Sequence, residues 1–337
     1  MSEPQRVPLA SLAAEDRGLA SRLLAGDRRA LAKAITLIES RRPEHRARAA
    51  ALLDALLPHS GRAVRLGVSG APGAGKSTLI ETLGLRLCEE GRRVAVLAVD
   101  PTSAVTGGSI LGDKTRMVGL ARHANAYIRP SPSGGTLGGV AEKTREAMTL
   151  CEAAGHDVIL VETVGVGQSE VTVSGMVDVF ALLQLPNAGD ELQALKKGIV
   201  ELADIIVINK TDADPKGAQI AQLAVENVLT LLVRASPHWD PPVLALSSLT
   251  GEGVGEFWQA VERYRVAMQR SGEWAEKRRR QAVDWMWNLI ESGLRAAFRH
   301  HPEVRAELPR LSEAVEHGRM APSAAAAKLL ALVQRDS

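Results

Sequence analysis

Residues 64–80 restrict what this chain can become more than any other stretch. An apolar run through Val64, Leu66 and Val68 stops at Gly70-Ala71-Pro72-Gly73-Ala74-Gly75-Lys76-Ser77-Thr78, and apolar residues resume at helical spacing from Leu79 and Ile80. A strand, a glycine turn and a helix in that order make a strand-loop-helix unit. Gly70 and residues 73–77 fit G-x-x-x-x-G-K-[ST], a loop whose backbone N–H groups close around phosphate oxygens while the helix N-terminus adds positive dipole. Lys76 is then placed to reach β- and γ-phosphates, and Ser77 to hold Mg²⁺. An ordinary glycine-rich turn accounts for the glycines, but not for Lys76 and Ser77 in register with them. The dinucleotide fingerprint G-x-G-x-x-G, read from Gly73, finds Gly75 but then Thr78 where its third glycine belongs.

Further apolar runs follow: Val94-Ala95-Val96-Leu97-Ala98-Val99-Asp100, Val158-Ile159-Leu160-Val161-Glu162, residues 177–183, Ile205-Ile206-Val207-Ile208-Asn209 and Val243-Leu244-Ala245-Leu246. Uninterrupted apolar strands alternating with helical stretches are what a parallel sheet buried on both faces requires. The expected fold is α/β, a doubly wound, mostly parallel sheet of the P-loop NTPase kind, with ligands at the carboxyl ends of its strands. A chain of 337 residues suits a central domain of about 200 residues with additions at both ends. The expected division is a helical extension over residues 1–60, the P-loop domain over 61–265 and a helical arm over 266–337.

In the extension Asp27 stands as an N-cap before Leu31, Ala34, Ile35 and Ile38, and a second helix with Leu52, Leu53, Leu56 and Leu57 runs into Pro58. In the tail Phe257, Trp258, Val261 and Tyr264 share one helix face, and Val283, Trp287, Ile290, Leu294 and Phe298 another. Lys277 to Arg280 read as a solvated face. The tail holds Trp274, Trp285 and Trp287 of the chain's five tryptophans, and these read as an aromatic core stripe or, alternatively, a subunit interface.

Lys and Arg number 41 against 39 Asp and Glu, a balance that predicts no broad basic face and no nucleic-acid partner. Cys88 and Cys151 form no C-x-x-C pair, so neither a disulfide framework nor a zinc signature is expected, and both read as buried thiols. Glu3, Glu15 and Asp16 fit neither a secretory signal nor a transit peptide, and no apolar stretch reaches the ~20 residues that cross a bilayer. A soluble, cytoplasmic protein is expected.

Asn209-Lys210-Thr211-Asp212 directly follows a strand pattern, and N-K-x-D there is a base-reading motif. The Asp212 carboxylate can accept from guanine N1–H and the 2-amino group, a pair adenine lacks, which favours GTP and GDP over adenine nucleotides. The stem of Lys210 would cover the base plane and Asn209 would brace the loop. Ser247-Ser248-Leu249, ending the next strand, supplies contacts expected near guanine O6. Glu162-Thr163-Val164-Gly165 reads like D-x-x-G with Glu for Asp: the carboxylate would hold Mg²⁺ directly or through water, and the Gly165 N–H would meet the γ-phosphate. Asp100 and Asp113 are further candidates as metal or water ligands. A small signalling GTPase places its water-orienting glutamine immediately after that glycine. Here Gln168 lies three residues on, so slow intrinsic hydrolysis dependent on a partner is expected.

On these residues, together with Asp100-Pro101-Thr102-Ser103, residues 107–117, 162–170 and 26–31, Gly189-Asp190-Glu191-Leu192-Gln193 and Lys196-Lys197-Gly198, the chain resembles the MeaB/ArgK family of SIMIBI-class P-loop GTPases, which includes methylmalonic aciduria type A proteins. The resemblance implies a homodimer joined partly through the C-terminal arm. It also implies a chaperone role in which GTP binding and hydrolysis gate adenosylcobalamin delivery to an acyl-CoA mutase, usually methylmalonyl-CoA mutase, and protect it. The cobalamin would be held by that partner. By position, Lys76, Asp100, Asp113 and Glu162 would belong to the magnesium and hydrolysis apparatus. Residues 166–170 and 185–197, with Gln168, Asp190, Glu191 and Lys196, would report nucleotide state to the mutase.

Three other readings use the same loop. An ATPase of the class with a lysine directly after the first loop glycine is opposed by Ala71 at that position and by Asp212, which argues for guanine. A GTP- or ATP-dependent kinase would pass the γ-phosphate to an acceptor, yet no additional acceptor pocket is evident in the sequence. A metal-insertion GTPase would carry His-rich tracts or paired cysteines, whereas the eight histidines are scattered apart from His300-His301.

Overall fold

The computed structural model describes residues 7–40, 42–99, 117–130, 137–163, 169–186 and 197–334. Three helices open the chain: α1 (Ala14–Leu24), α2 (Arg28–Glu39) and α3 (Pro43–Leu56). Asp27 caps α2 as expected, accepting from Arg29 N at 2.8 Å and Ala30 N at 3.2 Å. Proline at the first position of α3 costs nothing there, because its missing N–H would have had no helical partner. Arg48 ties α3 to α1 through a forked contact with Asp16.

Next come β1 (Val64–Gly70), α4 (Lys76–Glu89), β2 (Val94–Val99), α5 (Val118–Arg122), β3 (Ala126–Arg129), α6 (Leu137–Ala153) and β4 (Val158–Thr163). They are followed by α7 (Ser169–Ser174), β5 (Val179–Gln184), α8 (Lys197–Val200), β6 (Ile205–Ile208), α9 (Pro215–Thr230), β7 (Val243–Ala245) and α10 (Val254–Ser271). The strands form one seven-stranded sheet in the order β3-β2-β4-β1-β5-β6-β7, with every pairing parallel. The sequence reading lacked β3, a four-residue edge strand; the expected α/β fold is otherwise the one observed.

Alternate residues of each strand feed opposite cores. Leu66, Val68, Leu160 and Val179 meet Leu79, Ile80 and Leu83 of α4 and Phe257, Trp258 and Val261 of α10. Ile159, Val161, Phe180 and Ile206 meet the other face, where Leu31, Ile35 and Ile38 of α2 and Leu52 and Leu56 of α3 also lie. The helical extension therefore completes one layer over the sheet. Cys88 and Cys151 are free and buried. Among the described residues, no helix is long and apolar enough to cross a membrane.

Two compact units divide the chain, residues 1–274 and 275–337. The second has its own small core, in which Val304 and Leu311 of α12 (Pro302–Glu316) meet Ala325 and Leu329 of α13 (Pro322–Gln334). Helix α11 (Glu273–His300) carries the expected tail stripe. Of the tail tryptophans, Trp274 packs against the core that α10 shares, as the core reading expects, whereas for Trp287 that reading needs correcting. Val283, Trp287, Ile290 and Leu294 are exposed, Trp287 by 57%. Of that stripe, Phe298 packs against the small core.

Candidate nucleotide site

The chain reverses direction at the carboxyl end of β1, beside the point where β4 and β5 flank it, the crevice where open parallel sheets receive ligands. Two glycines are fixed there by lack of space. A Cβ on Gly70 (φ +147°) would run into the Leu183 carbonyl of β5, and one on Gly75 (φ +93°) into the Asn209 side-chain amide. Gly75 caps α4, so Lys76 and Ser77 occupy its first turn, which holds no acidic residue to offset the helix dipole.

Lys76 is buried, and its Nζ donates to Gly70 O at 2.7 Å and Ala71 O at 3.1 Å, across the mouth of the loop. Pro72 and Gly73 form an exposed crest, and Thr78 is exposed one residue beyond Ser77. Ser77 Oγ donates to Glu162 Oε1 at 2.6 Å. Glu162 reaches it because its strand lies between β1 and β2, pairing Glu162 with Val68 and Ala98. The longer side chain that replaces the aspartate of D-x-x-G thus still meets the loop serine. Two hard oxygen donors at a helix N-terminus are a donor set suited to Mg²⁺. Behind them, Thr163 Oγ1 donates to Ser69 Oγ at 3.0 Å, a buried tie between β4 and β1.

The base motif is built at the end of β6. Asn209 is only 1% exposed, and its side-chain amide bridges two loops. Its Nδ2 donates to Ala74 O at 2.7 Å, and its Oδ1 accepts from Ser248 N at 3.0 Å and Ser248 Oγ at 2.9 Å. Lys210 is the one non-glycine with positive φ among the described residues, at +65°. That left-handed turn costs about 1–2 kcal/mol and aims Asn209 inward while leaving Lys210 exposed. Asp212 is exposed, and Ser247 Oγ donates to its Oδ1 at 2.5 Å, orienting the carboxylate. Leu249 is exposed at the same loop.

Of the residues singled out in the sequence, Gly70 to Thr78, Glu162, Asn209, Lys210, Asp212, Ser247, Ser248 and Leu249 therefore belong to loops joined by hydrogen bonds at one sheet edge. Asp100, Asp113, Gly165, Gln168, Asp190, Glu191 and Lys196 lie outside the described residues. One participant was missed: Thr82 of α4, whose Oγ1 donates to Ser248 O at 2.7 Å. A single threonine within an amphipathic helix carries no motif that would have revealed it.

Several known proteins are similar to this chain. The chain is 56% identical to a putative GTPase of Caulobacter vibrioides over 313 residues, covering 93% of this chain and 96% of that protein. It is 48% identical to the mitochondrial methylmalonic aciduria type A homolog of Mus musculus, over 91% of this chain and 77% of that one. A solved structure described as an LAO/AO transport system kinase superposes with a TM-score of 0.76 at 38% identity, covering 99% of this chain and all of that one. The family model described as methylmalonyl Co-A mutase-associated GTPase MeaB matches residues 31–303. The chain belongs to the MeaB family of GTPases.

Proposed function

We propose that this protein binds and hydrolyses GTP, and that the nucleotide state gates adenosylcobalamin delivery to an acyl-CoA mutase such as methylmalonyl-CoA mutase. The observation that carries the reading is the double tie of Asn209 to the Ala74 carbonyl and to Ser248, because it joins the base-reading loop to the phosphate loop. The mutase association is supported by the family model that matches 31–303.

In this mechanism the N–H groups of the loop and the start of α4 receive the phosphates. The Lys76 ammonium exchanges its two carbonyl acceptors for β- and γ-phosphate oxygens, and Asp212 accepts from the guanine edge. Ser77 and Glu162 would hold Mg²⁺, which neutralises charge on the phosphates when bound. Asp100, Asp113 and the Gly165 N–H are proposed to complete this apparatus. Hydrolysis is slow in the isolated protein because Gln168 is three residues beyond Gly165. Its output passes through Gln168, Asp190, Glu191 and Lys196 to the mutase, which holds the cobalamin. The protein works as a cytoplasmic homodimer through the arm beyond residue 266.

The test is retention of partners from native extract on the immobilised full chain, loaded with GDP or with a non-hydrolysable GTP analogue. A cobalamin-dependent mutase retained in one state more than the other is expected, and retention in neither sinks the partner assignment. The neighbour described as a kinase favours one rival, phosphoryl transfer to an acceptor. γ-Labelled GTP in the same extract distinguishes it: label ending as inorganic phosphate supports hydrolysis, and label on a protein or small acceptor supports the rival.

A further inference from the structure

We infer that Thr82 is a positioning residue for base selection, presenting one backbone N–H to guanine O6. The inference rests on the guanine reading above and extends it to a side chain one turn beyond the phosphate loop.

The loop 247–252 uses nearly all of its own donors. Ser247 N donates to Glu252 O, Ser248 N to Asn209 Oδ1, Thr250 N to Ser247 Oγ, Gly251 N to Ser247 O and Glu252 N to Thr250 Oγ1. Among the described residues, the N–H of Leu249 alone in this loop has no acceptor, and Leu249 is 77% exposed. Its direction is set by Thr82. The described residues contain no cis peptide bond, and in a planar trans peptide the C=O and N–H point opposite ways. By drawing the Ser248 carbonyl toward α4 at 2.7 Å, the Thr82 hydroxyl turns the Leu249 N–H away from that helix.

A donor is what the base needs there. Guanine bound to Asp212 through N1–H and the 2-amino group carries O6 on the carbon next to N1, whereas adenine carries an amino group at that place. A fixed N–H would pair with O6 and oppose a second donor, so discrimination comes from repulsion as well as attraction. Ser247 ties Asp212 to the same loop, fixing the two reading groups relative to each other.

Calorimetric affinities of the full chain for GDP, 6-thio-GDP, IDP and ADP test this. Replacing O6 by sulfur puts a poorer acceptor opposite the Leu249 N–H, and removing the 2-amino group in IDP takes one donor from Asp212; the effect of sulfur on N1–H acidity is the same in wild type and variant and cancels when their ratios are compared. Thr82→Val, nearly isosteric and equally β-branched, is expected to shrink the GDP preference over 6-thio-GDP by about tenfold, the worth of one hydrogen bond, while leaving the GDP-to-IDP ratio unchanged. Thr82→Ser should retain both ratios. An equal weakening of all four nucleotides, or no change in the 6-thio ratio, overturns the inference. Equal binding of GDP and IDP by the unaltered protein would instead remove the guanine reading on which it rests.

Discussion

Glu162 shows how one side chain can be legible in sequence and still need a structure to be understood. Its place at the end of an apolar strand identified it as the acidic member of a D-x-x-G-like turn, while its extra methylene left its reach open. The 2.6 Å contact from Ser77 Oγ answers that, because the longer side chain spans the gap between β4 and α4. Glu162→Gln should keep GDP affinity within about threefold while single-turnover GTP cleavage falls by about a hundredfold or more, the usual loss on removing one preorganised electrostatic group. Glu162→Asp should restore only part of the rate, since the shorter carboxylate falls back from Ser77. Unchanged cleavage with a lowered melting temperature would make the residue structural. Asn209 was readable as a brace, but its acceptor on Ala74 was not, because a carbonyl in another loop has no signature in its own residue type. Thr82 was invisible for the same reason.

The turn from α6 into β4 holds a titratable group outside the nucleotide site. His156 is buried beside Tyr127, with ring centroids 6.1 Å apart, and its Nδ1 lies 2.9 Å from Cys151 O. Burial pushes its pKa down from 6.5 to about 4; the Cys151 carbonyl and the charge of Asp157 work against the fall, and the charges of Arg93 and Arg28 add to it. The unfolded chain therefore binds this proton more readily than the folded one. Its stabilising effect is full above pH 6.5, declines as the pH falls toward 4, and totals about 3 kcal/mol. Thermal melts should show stability dropping between pH 6.5 and 5, before most carboxylates titrate, and a flatter slope in His156→Phe; identical slopes would reject the assignment. Elements of this kind were unevenly legible. The cap at Asp27 and the buried parallel strands announce themselves through local chemistry and continuous apolar runs. By contrast, Ala126-Tyr127-Ile128-Arg129 is too short for its period to stand out, and it becomes a strand only because β2 offers it a pairing edge.

At the scale of the whole molecule, the same uncertainty of context explains the tail. Apolar spacing along residues 283–298 marked a helix face correctly, but such a stripe serves a core or an interface equally well, and only the surroundings distinguish them. Val283, Met286, Trp287, Ile290 and Leu294 remain exposed on α11. A symmetric dimer buries this stripe on both copies, ten side chains each about half exposed. At about 1.5–3 kcal/mol for a fully exposed side chain they supply roughly 10 kcal/mol, within the range of about 4–15 kcal/mol that association costs. The arm can therefore carry a dimer only if most of the stripe is covered at once, which makes it sensitive to charge at its centre. Sedimentation of the full chain at micromolar concentration should give about twice the monomer mass of 35.9 kDa, and Trp287→Glu combined with Ile290→Lys should return it to the monomer value. GDP affinity should be unaltered in that variant, because the loops proposed to bind phosphate and base lie within residues 1–274. A monomeric wild type, or a variant that remains dimeric, would refute the assignment of this stripe as the subunit interface.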